Sequence, residues 1–146
     1  MVDDDDYALC SKYKWHMGTS GHIQFSTHDS EHKTFMWQIH RIIMRDKLCG
    51  DLQVDHIDGD KLNNQKSNLR VCTARENCMN GKKQKYATSK YKGVYYVPGM
   101  RNWAAQIVVH RKRIYLGRYA TEEEAALVYN KSAVEHFGEF SCVNKL

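Results

Sequence analysis

The sequence predicts an α+β chain in two parts: a short β meander and helix leading into a strand–loop–strand–helix finger, then a three-stranded antiparallel sheet packed on one helix. Three observations carry that prediction. Short runs with alternating polarity, broken by Gly, Ser, Asp and Asn, recur along the chain. Two Thr-x-x-Glu capping boxes, Thr73 to Glu76 and Thr121 to Glu124, mark helix starts. The charge is divided unevenly: residues 1–81 carry 10 Lys+Arg against 12 Asp+Glu, net −2, whereas residues 82–146 carry 12 against 5, net +7. An acidic half beside a basic half predicts two different tasks, and the basic half predicts a polyanionic partner.

The elements follow in order. Lys12 to His16, His22 to Thr27 and Thr34 to Gln38 read as strands separated by Gly18-Thr19-Ser20-Gly21 and His28-Asp29-Ser30. Ile39, Ile42 and Ile43 recur at helical spacing, with Cys49-Gly50 as a stop signal. His40 lies beside that face, either as a packing residue or near the catalytic pocket. Val54 to Ile57 form a strand that runs into the turn pair Asp58-Gly59 and a polar loop from Asp60 to Asn68. Leu69 to Val71 return, and the first capping box opens a helix. After a polar, linker-like stretch with Lys82, Lys83 and Lys85, three strands are predicted at Gly93 to Val97, Trp103 to Val109 and Arg113 to Gly117. A helix follows, with Ala126, Tyr129, Ala133 and Phe137 on its inner stripe and Gly138 at its end. The domains are therefore expected at residues 1–80 and 90–146, joined by a basic linker over 81–89.

Composition narrows the function classes. No run approaches the roughly 18 apolar residues of a membrane span, and the start, with Asp3 to Asp6, lacks the basic and apolar segments of a secretory signal. The expectation is an intracellular protein, acting in the cytoplasm or nucleus of a host cell and not secreted, with the acidic start as a disordered, solvated end. Five scattered cysteines without a C-x-x-C pair argue against disulfides and a zinc knuckle and are read as reduced core residues. His16, His22, His28 and His32 sit in a polar stretch without thiolate partners and are not expected to hold zinc.

Chemistry concentrates in Val54 to Asn80. Phosphodiester hydrolysis with one metal ion needs oxygen ligands for a hard cation and a base for water. Asp55 at the strand end and Asn77 on the helix can supply the oxygens, and His56, with an ordinary pKa near 6.5, can be the neutral base. Asn68, twelve residues after His56, is placed to hydrogen-bond the loop backbone and hold the two strand arms together.

With D-H-I-D-G, N-N, S-N-L-R and a terminal Asn, residues 10 to 80 resemble the HNH endonucleases, specifically phage and viral homing-type members with a ββα-metal (His-Me) finger. The resemblance implies His56 as general base, Asp55 and Asn77 as ligands of Mg²⁺ or Mn²⁺, and Asn68 as the structural middle residue. Asn77 stands where the family name has its last histidine, and either side chain offers one ligand.

Alternation in the second part puts Val94, Tyr96, Trp103, Ala105, Ile107, Val109, Ile114 and Leu116 on a core face, with Trp103 and Tyr129 as core residues. The opposite face carries Tyr95, Val97, Ala104, Gln106, Val108, Arg113 and Tyr115, with Lys92, Arg101, Arg111 and Arg118 around its edges. SKYKGVYY, NWAAQI and IYLGRYATEEEAALVYNKSA resemble the apetala/ethylene-response-factor DNA-binding domain. That resemblance implies a sheet entering the major groove of double-stranded DNA, with contacts from Lys92, Tyr95, Val97, Gln106, Val108, Arg113 and Tyr115. The expected function is a DNA endonuclease, a monomer or weak dimer without a small-molecule cofactor. The alternative is a DNA-binding regulator with a relict finger.

Overall fold

The structure, a computed structural model, describes residues 1–81 and 88–146. Lys82, Lys83 and Lys85 of the expected linker lie outside the described residues. Among the described residues are four α-helices and three small antiparallel sheets, a mixed α and β structure. Contacts divide the chain into two compact units, Met1–Asn77 and Cys78–Leu146. No described helix is long and apolar enough to cross a membrane.

The first unit opens with α1 (Asp4–Cys10), then β1 (His16–Met17), β2 (Ile23–His28) and β3 (Thr34–Gln38) in one sheet of that order, then α2 (Ile39–Ile43). β4 (Gln53–His56) and β5 (Leu69–Cys72) form an antiparallel pair, followed by α3 (Ala74–Asn80). Cys10, Ile39, Ile43, Met44, Val54 and Leu69 make the core, so α1, α2 and the β4–β5 pair are held on one apolar cluster.

Three expectations need correction. The acidic start is helical: Asp4, Asp5 and Asp6 occupy the first turn of α1, where the N-terminal end of the helix dipole favours them. Asp3 accepts from the Lys66 backbone N–H at 2.7 Å, and Asp6, 7% exposed, pairs with Lys66 at 2.8 Å. The first strand shrinks to His16–Met17, because side chains rather than a ladder tie down the stretch before it. Trp15 Nε1 donates to the Cys10 carbonyl at 2.6 Å, and Tyr13 stacks on Phe25 with ring centroids 4.1 Å apart. Cys10 and Cys72 are buried, but Cys49 and Cys78 are exposed, so only part of the thiol set is core.

In the second unit β6 (Val94–Val97), β7 (Asn102–Val109) and β8 (Lys112–Tyr119) form a sheet in that order, followed by α4 (Glu122–Phe137). The Thr121 hydroxyl accepts from the Glu124 N–H while Glu124 reaches back to the Thr121 N–H, completing the capping box. Ala125, Ala126, Tyr129 and Ala133 of α4 pack with Val94, Ala105 and Ile107 of the sheet. Tyr129 is 3% exposed; Trp103 is partly buried against the same cluster. Gly93 (φ +76°) is required here, since a Cβ would lie 2.0 Å from the Tyr129 ring and 2.7 Å from the Gln106 carbonyl. His110 and Arg111, both at positive φ, make the turn between β7 and β8.

Strict alternation fails at one place. Ala105 pairs with Gly117 but Gln106 pairs with Tyr115, so β8 carries one extra residue, a β-bulge, and Leu116 joins the core cluster. Ala104, expected on the open face, is fully buried although it lies in register with Tyr95 and Arg118; two large neighbours shield its single methyl. Tyr96 and Ile114, expected in the core, are each 37% exposed; both stand on the edge strands of the sheet.

Candidate functional site

The β4–β5 hairpin sorts its chemistry onto two faces, because successive strand residues point to opposite sides. Val54 reaches the core shared with α2, and His56 lies on that side. Gln53 and Asp55 point the other way, to Asn77 and Arg70.

His56 is 4% exposed, with His40 of α2 and His22, just before β2, around it. Ring centroids are 5.0 Å apart for His40 and His56, 4.9 Å for His22 and His40, and 5.8 Å for His22 and His56. The structure buries His40, 4% exposed, and sets its ring against that of His56. Burial, then the neighbouring His56, His22 and Arg41, pushes the His40 pKa down to about 3, so its imidazole is neutral. Burial, then Lys61 and His56, also lowers the pKa of His22.

A neighbouring amide sets the tautomer of His56. Asn64, 1% exposed, directs its NH₂ at the Leu62 and Lys61 carbonyls (3.1 and 3.4 Å), which fixes its Oδ1 toward His56 Nε2 at 3.1 Å. Oδ1 only accepts, so Nε2 is the donor in this bond, and whenever the ring carries one proton its lone pair is on Nδ1. Asn64 is held in turn from α1's side of the unit, since its N–H donates to the Met1 carbonyl at 2.8 Å.

Asn68 ties the loop between the strands. Its Nδ2 donates to Asp58 Oδ1 at 2.9 Å and to the Asn63 carbonyl at 2.8 Å, and its Oδ1 accepts from the Asp58 N–H at 3.1 Å. Burial opposes ionisation of Asp58, but the donors Asn63, the Asp60 N–H and Asn68 outweigh it and hold its pKa below the usual range. This loop, with a single 3-10 turn at Lys66–Asn68, therefore keeps Asn64 in place.

On the other face, Asp55 is 6% exposed and lies directly opposite Arg70 in the hairpin register. Asn77 of α3 donates its Nδ2 to Gln53 Oε1 at 2.8 Å, so its own carbonyl oxygen is not the atom used in that bond. Asp55 and Gln53 share one strand face and Asn77 bonds to Gln53; carboxylate and amide oxygens are the hard donors a divalent cation takes, and the Arg70 guanidinium pairs with Asp55. Burial and then Asp55 push the nearby Cys72 thiol up to about 11.

In the second unit the bulge brings Arg118 onto the same sheet face as Tyr115 and Arg113, in rows Ala104–Arg118, Gln106–Tyr115 and Val108–Arg113. Tyr95 and Val97 extend that face on β6, with Tyr95 beside Ala104. Val108 and Tyr115 are 55% and 53% exposed. Arg113 and Arg118 are exposed, as are Arg101 and Arg111 in the flanking turns. The Arg118 guanidinium donates to the Met100 sulfur. Lys92 stands apart from this surface: half-buried, it directs its ammonium at the Met79 and Gly81 carbonyls at 2.8 and 2.5 Å, and burial lowers its pKa.

Sequence reasoning missed His22, Asn64, Gln53 and Arg70. Arg70 was findable once the hairpin register was drawn, because it is the cross-strand partner of Asp55. His22 comes from the turn before β2, a distant part of the chain, and no spacing rule reaches it.

Comparison with known proteins adds to this geometry. The family model described as HNH endonuclease matches residues 38–79. The chain is 37% identical over 146 residues to an uncharacterized HNH endonuclease of Acanthamoeba polyphaga mimivirus, covering 99% of this chain and 74% of that relative. It is 31% identical over 88 residues to Protein 3.8 of Escherichia phage T7, covering 60% of this chain and 72% of that protein. A shorter likeness, 46% over 52 residues, joins 34% of this chain to 15% of an AP2-like ethylene-responsive transcription factor of Arabidopsis thaliana. No solved structure matches the chain. The family match spans the hairpin and helix that carry Asp55, His56, Asn68 and Asn77, and the mimivirus relative spans nearly the whole chain: the protein belongs to the HNH endonuclease family of enzymes.

Proposed function

We propose that the chain is a metal-dependent DNA endonuclease of the homing type, in which a ββα-metal finger hydrolyses a phosphodiester bond and the C-terminal sheet holds duplex DNA in its major groove. The observation that carries the reading is the buried Asn64–His56 hydrogen bond, which presents Nδ1 as the basic nitrogen. His56 takes a proton from water at Nδ1, the water oxygen forms a bond to phosphorus, and the opposite P–O bond breaks. Asp55 and Asn77 are the residues that would hold a divalent cation, Mg²⁺ or Mn²⁺. Such an ion stabilises charge on the phosphate and leaving oxygen. Asn68 acts through the loop, as a positioning residue.

For DNA, Gln106, Arg113, Tyr95 and Tyr115 face the bases, while Arg101, Arg111 and Arg118 neutralise phosphates. The partial likeness to a plant transcription factor, over 52 residues, supports an apetala/ethylene-response-factor-type module.

The test is conversion of supercoiled plasmid to nicked or linear form with Mg²⁺ or Mn²⁺, beside His56→Ala and an EDTA control. Metal-dependent nicking that His56→Ala abolishes is the expected result. Salt-sensitive DNA binding with no cleavage under any condition overturns the nuclease and leaves a DNA-binding regulator.

A further inference from the structure

His22, His40 and His56 bring one ring nitrogen each to within 4.8 Å of one another. They come from the turn before β2, from α2 and from β4, so the cluster is a product of the tertiary fold. The centre of a triangle of that size lies about 2.8 Å from each corner, against about 2.0–2.1 Å for a zinc–imidazole bond. Ring rotations moving each nitrogen by less than about 1 Å close that gap.

The surroundings are those of a ligand set. A metal-bound imidazole ordinarily donates its second ring N–H to an oxygen that fixes its orientation. Asn64 Oδ1 does this for His56 Nε2, and Ser20 Oγ lies 3.0 Å from His22 Nδ1 in the same relation. His40 is 4% exposed, and its Nδ1 has no hydrogen-bond partner. A buried ring nitrogen left unpartnered is unfavourable unless something occupies it. With no acidic side chain in the cluster, the site has the wrong chemistry for Mg²⁺ and the right chemistry for a borderline ion that prefers nitrogen.

We propose that His22, His40 and His56 form a three-imidazole site for a transition-metal ion, Zn²⁺ in particular, separate from the oxygen donors at Asp55 and Asn77. A fourth position is left to water or another small ligand. Because the site includes His56, an ion there takes the ring nitrogen that the proposed hydrolysis uses. That consequence for activity rests on the nuclease reading, but the binding site itself does not.

The test uses the full chain freed of metal and titrated with Co²⁺ in Mg²⁺-free buffer, following the visible absorption of nitrogen-bound, low-coordinate Co²⁺, with Zn²⁺ as competitor. One equivalent of Co²⁺ is expected to give an intense band that one equivalent of Zn²⁺ abolishes. His22→Gln, at a partly exposed position that tolerates change, is expected to weaken Co²⁺ affinity by at least about 10-fold, and His40→Gln likewise. Asp55→Asn is expected to leave the band in place. Weak absorption like that of aqueous Co²⁺, or binding unchanged in folded His22→Gln protein, overturns the site. A strong, His22-dependent band in a protein that nicks no DNA supports the site and counts only against the nuclease reading.

Discussion

Asp55 and Arg70 face each other across the β4–β5 hairpin, with Arg70 Nε and Nη2 converging on Asp55 Oδ2 at 2.9 and 2.7 Å and side-chain exposures of 8% and 12%. The pair is held by strand register, so neither side chain loses much freedom in making it. Its weight lies in what remains when one partner goes. Arg70→Met leaves a buried carboxylate without its guanidinium and should cost about 3–5 kcal/mol in urea unfolding. The double variant Asp55→Asn/Arg70→Met should recover most of that loss; simple addition of the two single effects would show that the charges do not interact.

Asn64 should act on rate rather than on affinity. Asn64→Leu removes the acceptor that fixes the His56 tautomer, so single-turnover nicking should slow by about 10–100-fold, the range typical of orienting partners. DNA affinity, measured by fluorescence anisotropy, should hold within about two-fold. An equal loss in both would place Asn64 in general folding of the loop.

Gly93 and Gly99 offer a paired test of packing. Gly93→Ala puts a methyl into the Tyr129 ring at a positive φ and should lower stability by more than about 2 kcal/mol. Gly99, where nothing lies within 4 Å of an added Cβ, should accept alanine within about 0.5 kcal/mol. Thermal unfolding of both variants checks the contrast.

The basic residues of the second unit should separate into two classes. Arg113→Ala and Arg118→Ala should each weaken duplex binding and lower the slope of log affinity against log salt by about one. Lys92→Ala should leave that slope unchanged and lower the melting temperature, because its ammonium serves the Met79 and Gly81 carbonyls. A reduced slope for Lys92→Ala would move it into the DNA interface.

Cys72 gives a pH-dependent marker of the finger. Its thiol titrates at about 11 in the fold, above the ordinary 9.0, so the folded state keeps a proton that the unfolded state releases. Its contribution to stability is therefore intact below about pH 9 and lost as pH rises toward about 11, and Cys72→Ala should flatten that decline. At pH 8, alkylation followed by peptide mass spectrometry should label the exposed Cys49 and Cys78 and spare Cys72.

Much of this was legible in the sequence because it is local. The turn at Asp58-Gly59, both capping boxes and the alternation of β6 and β7 depend on residues a few positions apart, and Asp55, His56, Asn68 and Asn77 fall within one strand–loop–strand–helix unit. What escaped is nonlocal. The acidic start is ordered by Lys66, sixty residues away, and His22, in the turn before β2, meets His56 at the end of β4. The placement of Arg118 depends on a bulge that no composition rule marks except a glycine, Gly117, at φ +119°.

That bulge also sets a length. Rows two residues apart along a strand are separated by about 7 Å, so the rows ending in Arg113, Tyr115 and Arg118 extend over about 14 Å, close to four base-pair steps of about 3.4 Å. Were β8 to run straight with Leu116 still in it, Arg118 would turn toward α4 and the ruler would lose its last division. Deleting Leu116 instead straightens the strand and keeps Arg118 across from Ala104, so the extra residue is a spacer that sets Leu116 on the core without shortening the word of DNA the proposed face can measure.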